Sequence, residues 1–557
     1  MKVPVAAIQY NPTMFAHEEN IVALEALTIE AAQSGAKLIV HPEMGTTGYC
    51  WQNREEIAPY VETIPGPTTD RFATIAREQD CWIVVGLAEV VPETRVYYNS
   101  VALIGPDGVA GVYRKTHSYI AEPAWAKDGD LGMPVFDTPL GKIGMLICMD
   151  IVYFETARLE ALQGADVICL PVNWAGETSP AGSWISRAIE NGVSVIVANR
   201  SDVERGTTFC GQSCVIGPDG MVQSVLASGE GIVYGEIESA APIREALLAG
   251  RRPDLYSALT RNSHLWNPEK FNARYGIAPL PAGKTSKIAA AQFTPVAGDI
   301  EGNLAIMTEL ATAALGADLL VFPELALTGA VDGRVDLDSL ADICATFGID
   351  SLRAMANNAG TTIVAGIVEH DEHGRFFNSA AAVDSSGVLA IARKAHLTES
   401  DRVWATCGDR PFTVVDLALG RLGVLIGHDL ACPESARTLA IEAADVIAVP
   451  AMMTWPAPTG GEPGAENFVL GRQQARENKV YLALANGAGV ASTSGVFGPD
   501  PEDHPDDEML IRHGDRAVAA LGIDTSSPDP RFPTNPIRRK DTLRMRQPYW
   551  YEALQRC

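Results

Sequence analysis

One pattern of residues runs through this chain twice, so any fold that suits the first run must also suit the second. Val5-Ala6-Ala7-Ile8-Gln9 returns as Ile288-Ala289-Ala290-Ala291-Gln292, and Asn20 returns as Asn303. Gly35 to Glu43, GAKLIVHPE, returns as Gly316 to Glu324, GADLLVFPE. Tyr97-Tyr98-Asn99-Ser100 returns as Phe376-Phe377-Asn378-Ser379, and Arg114-Lys115-Thr116-His117 as Arg393-Lys394-Ala395-His396. The spacing is 279 residues, 115 to 394, and it holds without a gap from Lys115 through Cys148, whose place is taken by Gly427. Arg252-Pro253-Asp254-Leu255-Tyr256 is echoed late by Gln547-Pro548-Tyr549-Trp550-Tyr551. One fold is therefore written twice, with domains expected over 1–270 and 284–557. The join is placed between about Ser263 and Ser286, where Asn, Pro and Gly collect.

Each half alternates short apolar runs with amphipathic stretches, the pattern of a mixed α/β fold with helices covering sheet faces. In the first half strands are expected near 3–9, 37–41, 82–88, 99–104, 110–114, 143–148, 166–171, 194–198 and 213–216. Helices are expected near 18–34, 67–78, 155–163 and 181–191. Gly105-Pro106-Asp107-Gly108 reads as the turn of an antiparallel pair.

With 557 residues, 47% of them hydrophobic, the chain can build more than one core. A formal charge of -26 argues against nucleic-acid and anionic-membrane partners, which need basic patches. No apolar run approaches the ~18 residues that span a bilayer, and the N-terminus lacks a basic-then-apolar leader pattern. The ten cysteines are scattered, which reads as free thiols in a reducing, cytoplasmic compartment. Cys210 and Cys214 have no second pair to complete a zinc site, so no metal is expected.

Three polar groups end apolar runs. Leu38-Ile39-Val40-His41-Pro42 stops at Glu43, Val112-Tyr113-Arg114 stops at Lys115, and Ile143 to Ile147 closes on Cys148. Ligands of α/β sheets bind outside the carboxyl ends of strands, so these three can meet at one sheet edge. A thiol where a buried strand turns into a helix sits among free backbone N–H groups, which should lower its pKa. Singly, Glu43 reads as a loop or capping carboxylate, Lys115 as a surface lysine and Cys148 as a core thiol. Their joint position points to chemistry.

At these residues the chain resembles the nitrilase superfamily, the carbon–nitrogen hydrolases. The matching pieces are Pro42-Glu43, Tyr113 to His117, and Ile147-Cys148-Met149-Asp150 with Glu155 and Arg158. Arg187 to Asn191 with Ala198-Asn199-Arg200, and Phe209 to Ser213 with Gly217 to Gly220, complete the set in family order across about the first 260 residues. The resemblance implies two tandem four-layer α-β-β-α sandwich domains. Family members commonly dimerise through a helical surface, so an internal pseudo-dimer is expected, with further homo-oligomerisation left open. It implies a nucleophile at Cys148 forming a thioester or thioimidate, and a proton shuttle at Glu43. Lys115 and the backbone N–H of Met149 would stabilise the oxyanion, and Glu122 would orient the lysine. Tyr49, Met149, Asn173 and Trp174 are candidate substrate contacts. Glu155, Arg158, Glu190 and Asn191 read as structural, and His117 as a supporting histidine.

The second copy keeps Glu324 and Lys394 and has Asp401 in the place of Glu122, but Gly427 has no nucleophile, so it is expected to be catalytically silent. His428 should point elsewhere, since neighbouring positions at a strand end face differently, and Cys432 is expected about one helical turn from any pocket. Cys148-Met149-Asp150 resembles the amidase and carbamoylase branches more than the nitrilases, while Trp125 to Asp130 leans toward nitrilases. The preferred activity is release of ammonia from a small amide, without a cofactor. Nitrile and N-carbamoyl hydrolysis are the alternatives. A binding or regulatory pseudo-enzyme is the alternative of another class. A glutaminase half feeding a synthase is disfavoured, because no phosphate-cradling G-x-x-x-x-G-K-S/T loop is present. Asp500 to Asp507 reads as a solvated acidic loop.

Overall fold

The structure is a computed structural model describing residues 2–556 apart from 120, 176–178, 263–278, 332–335, 454–464, 488, 490–492, 501–504, 512–515 and 528–534. It divides into two compact units. The first is Met1–Ala249 with Tyr549–Leu554, and the second Gly250–Pro548 with Gln555–Cys557. The expected join lies mostly outside the described residues, as does 501–504 of the acidic segment. Division by compactness falls earlier than that join, after Ala249.

The first unit carries β1 (Val3–Gln9), β2 (Leu38–Val40), β3 (Trp82–Val90), β4 (Tyr97–Gly105) and β5 (Gly108–Arg114). It continues with β6 (Val135–Thr138), β7 (Gly141–Met145), β8 (Val167–Pro171), β9 (Ser194–Ala198) and the short ribbon β10 (Val203–Glu204) and β11 (Thr207–Thr208). β12 (Ser213–Ile216), β13 (Val222–Leu226) and β14 (Gly231–Ile237) end it. Two six-stranded sheets result, ordered β14-β1-β2-β3-β4-β5 and β13-β12-β9-β8-β7-β6. β1, β2 and β3 are parallel, as are β7, β8 and β9. Their centres, such as Leu38–Val40 and Val195–Ala198, are apolar and buried because both faces are covered. β1 and β2 pack on β8, β9 and β12 of the other sheet. Outside the first sheet, α1 (His17–Gln33) and α2 (Pro67–Gln79) bring Ile21, Leu24, Phe72 and Ala76 onto Ile39 and Ile83. Outside the second lie a helix at Phe154–Leu162 and another at Gly182–Asn191, the latter against β9 and β12.

The second unit repeats this plan in sheets of the same size. In one, Thr285–Phe293, Leu319–Val321 and Thr362–His370 form the parallel centre, and in the other Gly420–Val424, Val446–Ala451 and Tyr481–Asn486 do. Ile288, Leu319 and Val364 meet Leu422, Val446 and Ala483 between the sheets. Leu304, Met307, Leu352 and Met355 cover the outer face of the first sheet at Leu320 and Ile363. The four-layer expectation and the antiparallel β4–β5 pair are both found. β6, β13, β14 and the helix Ala241–Ala249 were not anticipated.

The second unit holds on to the stretch that follows the first copy. The Arg251 Nε donates to Glu434 Oε1 at 2.9 Å with both side chains buried, and the Tyr256 hydroxyl lies 2.6 Å from His396 Nε2. Arg251→Ala should cost about 3–5 kcal/mol, because it removes a cation from a buried carboxylate. Denaturant unfolding of the full chain checks this: a change under ~1 kcal/mol would contradict it.

Candidate active site

Four of the site residues stand just past the carboxyl ends of strands. Glu43 follows β2, Lys115 follows β5, Cys148 follows β7 and Asn173 follows β8, while Glu122 opens a short 3-10 turn, Glu122–Ala124. The Lys115 ammonium donates to Glu43 Oε1 at 2.7 Å and to Glu122 Oε2 at 2.6 Å. The Asn99 side-chain amide, from β4, donates to the same two carboxylates, at 2.8 Å to Glu43 Oε1 and 2.6 Å to Glu122 Oε1. The Asn173 backbone N–H donates to Glu43 Oε2 at 2.8 Å, and its side-chain amide donates to the Glu43 carbonyl at 2.9 Å. The Tyr49 hydroxyl and the Tyr119 N–H donate to Glu122 Oε2 at 3.0 and 2.8 Å. Every oxygen of both carboxylates thus accepts at least one hydrogen bond, which a buried ionised carboxylate requires.

Burial and the neighbouring Glu122 raise the Glu43 carboxyl above its ordinary range, against the pull of Lys115. Burial alone would lower the Lys115 ammonium, but Glu122 and Glu43 hold it well above its ordinary value. It is a fixed cation. The Cys148 thiol goes the opposite way from expectation. Burial and the Glu43 charge push it well up, and Lys115 and the Asn173 N–H offset only part of this. The helix-terminus argument fails locally because Cys148 opens a five-residue 3-10 turn, Cys148–Val152, and the regular helix begins only at Phe154. Cys148 is 4% exposed, whereas Glu43 is fully covered.

Cys148 has φ 47°, a left-handed conformation that costs an L-residue about 1–2 kcal/mol. Asp150 fixes this elbow. Its Oδ2 accepts the Ile147 N–H at 3.1 Å and the Tyr113 hydroxyl at 2.7 Å, and its Oδ1 takes the His117 N–H at 2.9 Å and lies 2.8 Å from His117 Nδ1. His117 stacks on Tyr153 at 4.0 Å and serves as a brace, as expected. The turn carrying Glu43 lies directly on Gly86 of β3. A Cβ there would meet Pro42 O at 2.6 Å and Met44 N at 2.9 Å. Gly86→Ala should therefore displace Glu43 and cost about 1–3 kcal/mol. Activity lost in proportion to unfolded protein alone would count against that displacement.

The structure brings Glu43, Lys115 and Glu122 into one hydrogen-bonded cluster that Tyr49 and Asn173 also join, and Cys148 lies within its field. Met149 is half-buried on the Cys148 turn. Trp174 is buried against Trp184 and its backbone N–H donates to Asn199 Oδ1 at 3.0 Å, on the same loop as Asn173. The residues read as structural serve that way: Arg158 donates to the Glu190 carbonyl at 3.0 Å, Arg187 pairs with Glu190, Asn191 donates to the Arg187 carbonyl, and Glu155 is buried in the same helix layer. The sequence shows Asn99 only as a residue that returns as Asn378 and Asp150 only as part of the Cys148-Met149-Asp150 triplet, and assigns neither a role in the site.

The second copy repeats the charges without the sulfur. Lys394 donates to Glu324 Oε1 at 2.5 Å and to Asp401 Oδ2 at 2.7 Å, while Asn378 donates to the same two residues at 2.7 and 2.9 Å. The Met452 N–H meets Glu324 Oε2 at 2.9 Å. Gly427 has φ 47°, the value found at Cys148, so here the elbow is made by a residue that adopts it without strain. A Cβ on Gly427 would lie 2.3 Å from Glu324 Oε2 and 3.3 Å from Lys394 Nζ. Gly427→Cys should therefore cost about 1–3 kcal/mol and create no second nucleophilic site; ammonia release regained in a Cys148→Ala/Gly427→Cys chain would contradict this. Burial with the Lys394 and His396 charges brings the His428 imidazole down to about 4, and Cys432 lies at the head of the helix Pro433–Ile441, beside His396.

No helix among the described residues is long and apolar enough to cross a membrane. The family model for carbon-nitrogen hydrolase matches residues 4–244 and again 287–513. A nitrilase of Pyrococcus abyssi is 40% identical over 229 residues, which is 41% of this chain and 86% of that protein. An omega-amidase of Xenopus tropicalis is 32% identical over 259 residues, 43% of this chain and 91% of its own. An N-carbamoylputrescine amidase of Solanum lycopersicum is 32% identical over 288 residues, 46% of this chain and 94% of its own. Among solved structures, a carbon-nitrogen hydrolase from Helicobacter pylori is 25% identical with a TM-score of 0.44, covering 47% of this chain and 99% of that one. Matched in both halves by the same family model, the chain belongs to the carbon–nitrogen hydrolase family, present twice in tandem.

Proposed function

We propose that the first copy is an amidase that releases ammonia from a small amide through a thioester on Cys148, and that the second copy is silent. The observation that carries this reading is the Lys115 ammonium shared between Glu43 and Glu122 at 2.7 and 2.6 Å, with the Cys148 thiol in its field. A thiol whose pKa is raised needs a base at the moment of attack. A carboxyl held above its ordinary range beside it is suited to take that proton and return it to the leaving ammonia. Glu43 then activates water to cleave the thioester. Lys115 and the Met149 backbone N–H face the developing oxyanion, and Glu122 holds the lysine in place. Tyr49, Asn173 and Trp174 border the space for the substrate.

The family relatives carry names of nitrilase, omega-amidase and N-carbamoylputrescine amidase, so likeness alone does not select the bond cleaved. The Cys148-Met149-Asp150 triplet favours amides. Ammonia release and product mass over a panel of small amides, nitriles and carbamoyl amino acids test this choice. Turnover confined to nitriles or carbamoyl compounds would overturn it. Absence of turnover across the panel, together with reversible binding at the first site, would favour a pseudo-enzyme. We further propose, from the repeat, that one chain supplies both halves of the family's dimer and works in a reducing cytoplasm. A solution mass of one chain agrees with an internal pseudo-dimer.

A further inference from the structure

We propose that Asn99 is a positioning residue that keeps Glu43 ionised as a base, working through its carboxamide rather than through contact with substrate. This rests on the reading of Glu43 as the proton acceptor. Two carboxylates share the buried cluster, and two donors clamp them. Lys115 is the charged clamp and Asn99 the neutral one, reaching Glu43 Oε1 at 2.8 Å and Glu122 Oε1 at 2.6 Å through the one Nδ2. An amide nitrogen has two hydrogens, and both are used here. Exchanging the nitrogen and oxygen would set a carbonyl oxygen against two carboxylates, so the orientation follows from the partners.

The other end of the side chain is the telling part. Asn99 Oδ1 is buried and has no hydrogen-bond partner among the described residues, and the same holds for Asn378 Oδ1 in the second copy. A buried carbonyl left without a donor costs about 1–3 kcal/mol. An amide is tolerated there at that cost because its other end supplies donors to both carboxylates. A like charge beside Glu43 disfavours ionisation, and hydrogen bonds donated to the carboxylate favour it. Burial and Glu122 raise Glu43, while the Lys115 and Asn99 bonds pull it back. Removing Asn99 takes away the neutral part of that pull and leaves the charge of Lys115 in place. The carboxylate form of Glu43 then disappears at a higher pH, and the acid limb of every reaction that needs it as a base moves upward.

The test uses the full chain and iodoacetamide, with alkylation of Cys148 followed by mass against pH. Wild type, Asn99→Leu, Asn99→Asp, Asn378→Leu and Glu43→Gln are compared. Asn99→Leu is nearly the same size and donates nothing. Asn99→Asp preserves packing and adds a like charge, so it decides the matter if the leucine variant fails to fold. Both should move the acid limb up by about one pH unit or more, which is about a tenfold slower reaction below the limb. Asn378→Leu, with the same local chemistry in the copy lacking sulfur, should follow the wild-type profile. Asn99 variants that overlay the wild type, while Glu43→Gln does not, would overturn the role of Asn99 alone. A Glu43→Gln profile that also overlays the wild type would overturn the role of Glu43 as base, and that of Asn99 with it.

Discussion

Cys148→Ala is expected to lower ammonia release by about 10⁴-fold or more, since loss of a nucleophile that works with its base as a unit removes most of the catalytic advantage. The second copy offers no rescue. It has glycine at the equivalent position, and the space a Cβ would need is held by Glu324 Oε2 at 2.3 Å. Cys432→Ala should leave turnover intact, because that thiol lies beside His396 at the head of a helix. Measured on the same amide, the two variants should differ by the whole catalytic effect. Full activity in the Cys148→Ala protein would reject the mechanism.

Lys115→Met is expected to damage both rate and stability. Removing one donor to a developing oxyanion costs about 10²–10³ in rate. Removing the cation from between two buried carboxylates costs about 3–5 kcal/mol, because their charges are left uncompensated. The pH dependence has a definite sign. Without the ammonium, Glu43 loses the charge that most opposes its burial, so its carboxyl in the folded protein titrates further above its unfolded value. The folded state then binds more protons than the unfolded one, and stability falls as pH rises through and above the carboxylate range. Urea unfolding of the variant should therefore show a larger deficit at about pH 8 than at about pH 5. A deficit independent of pH would mean that the lost packing of the lysine stem, and not the charge, dominates.

The repeat made most of the fold legible. Uninterrupted apolar runs such as Leu38–Val40 and Val167–Pro171 are what parallel strands buried on both faces must look like. The polar groups at strand ends pointed to the site, but not to one edge of one sheet: Glu43 and Lys115 follow β2 and β5 of the first sheet, while Cys148 follows β7 of the second, because the two sheets pack face to face and their strand ends converge. β14 was hidden because Gly231–Ile237 is only partly buried and carries Glu236 and two glycines, a weak alternation that gains its place by pairing along β1. The thiol electrostatics were misread for a different reason. A pattern of residues places a cysteine at a strand end, but it does not report how deeply water is excluded or that a carboxylate stands beside it, and those two effects set the direction of the shift. Asn99 was visible as a repeated residue, yet an asparagine in a strand reads as an outward polar position. Its role depends on Glu43 and Glu122 arriving from segments 56 and 23 residues away. Asp150 was seen in the Cys148-Met149-Asp150 triplet, but the bonds tying the elbow to Tyr113 and His117 needed the folded chain.

The most direct test of a sulfur-borne mechanism is the mass of the protein itself during turnover. Acid-quenched during hydrolysis of an amide, the chain should gain the mass of one acyl group, less the hydrogen it replaces, and peptide mapping should put that group on Cys148 and nowhere in the second copy. Steady ammonia release with no acylated Cys148 at any quench time, and undiminished in Cys148→Ala, would contradict the account.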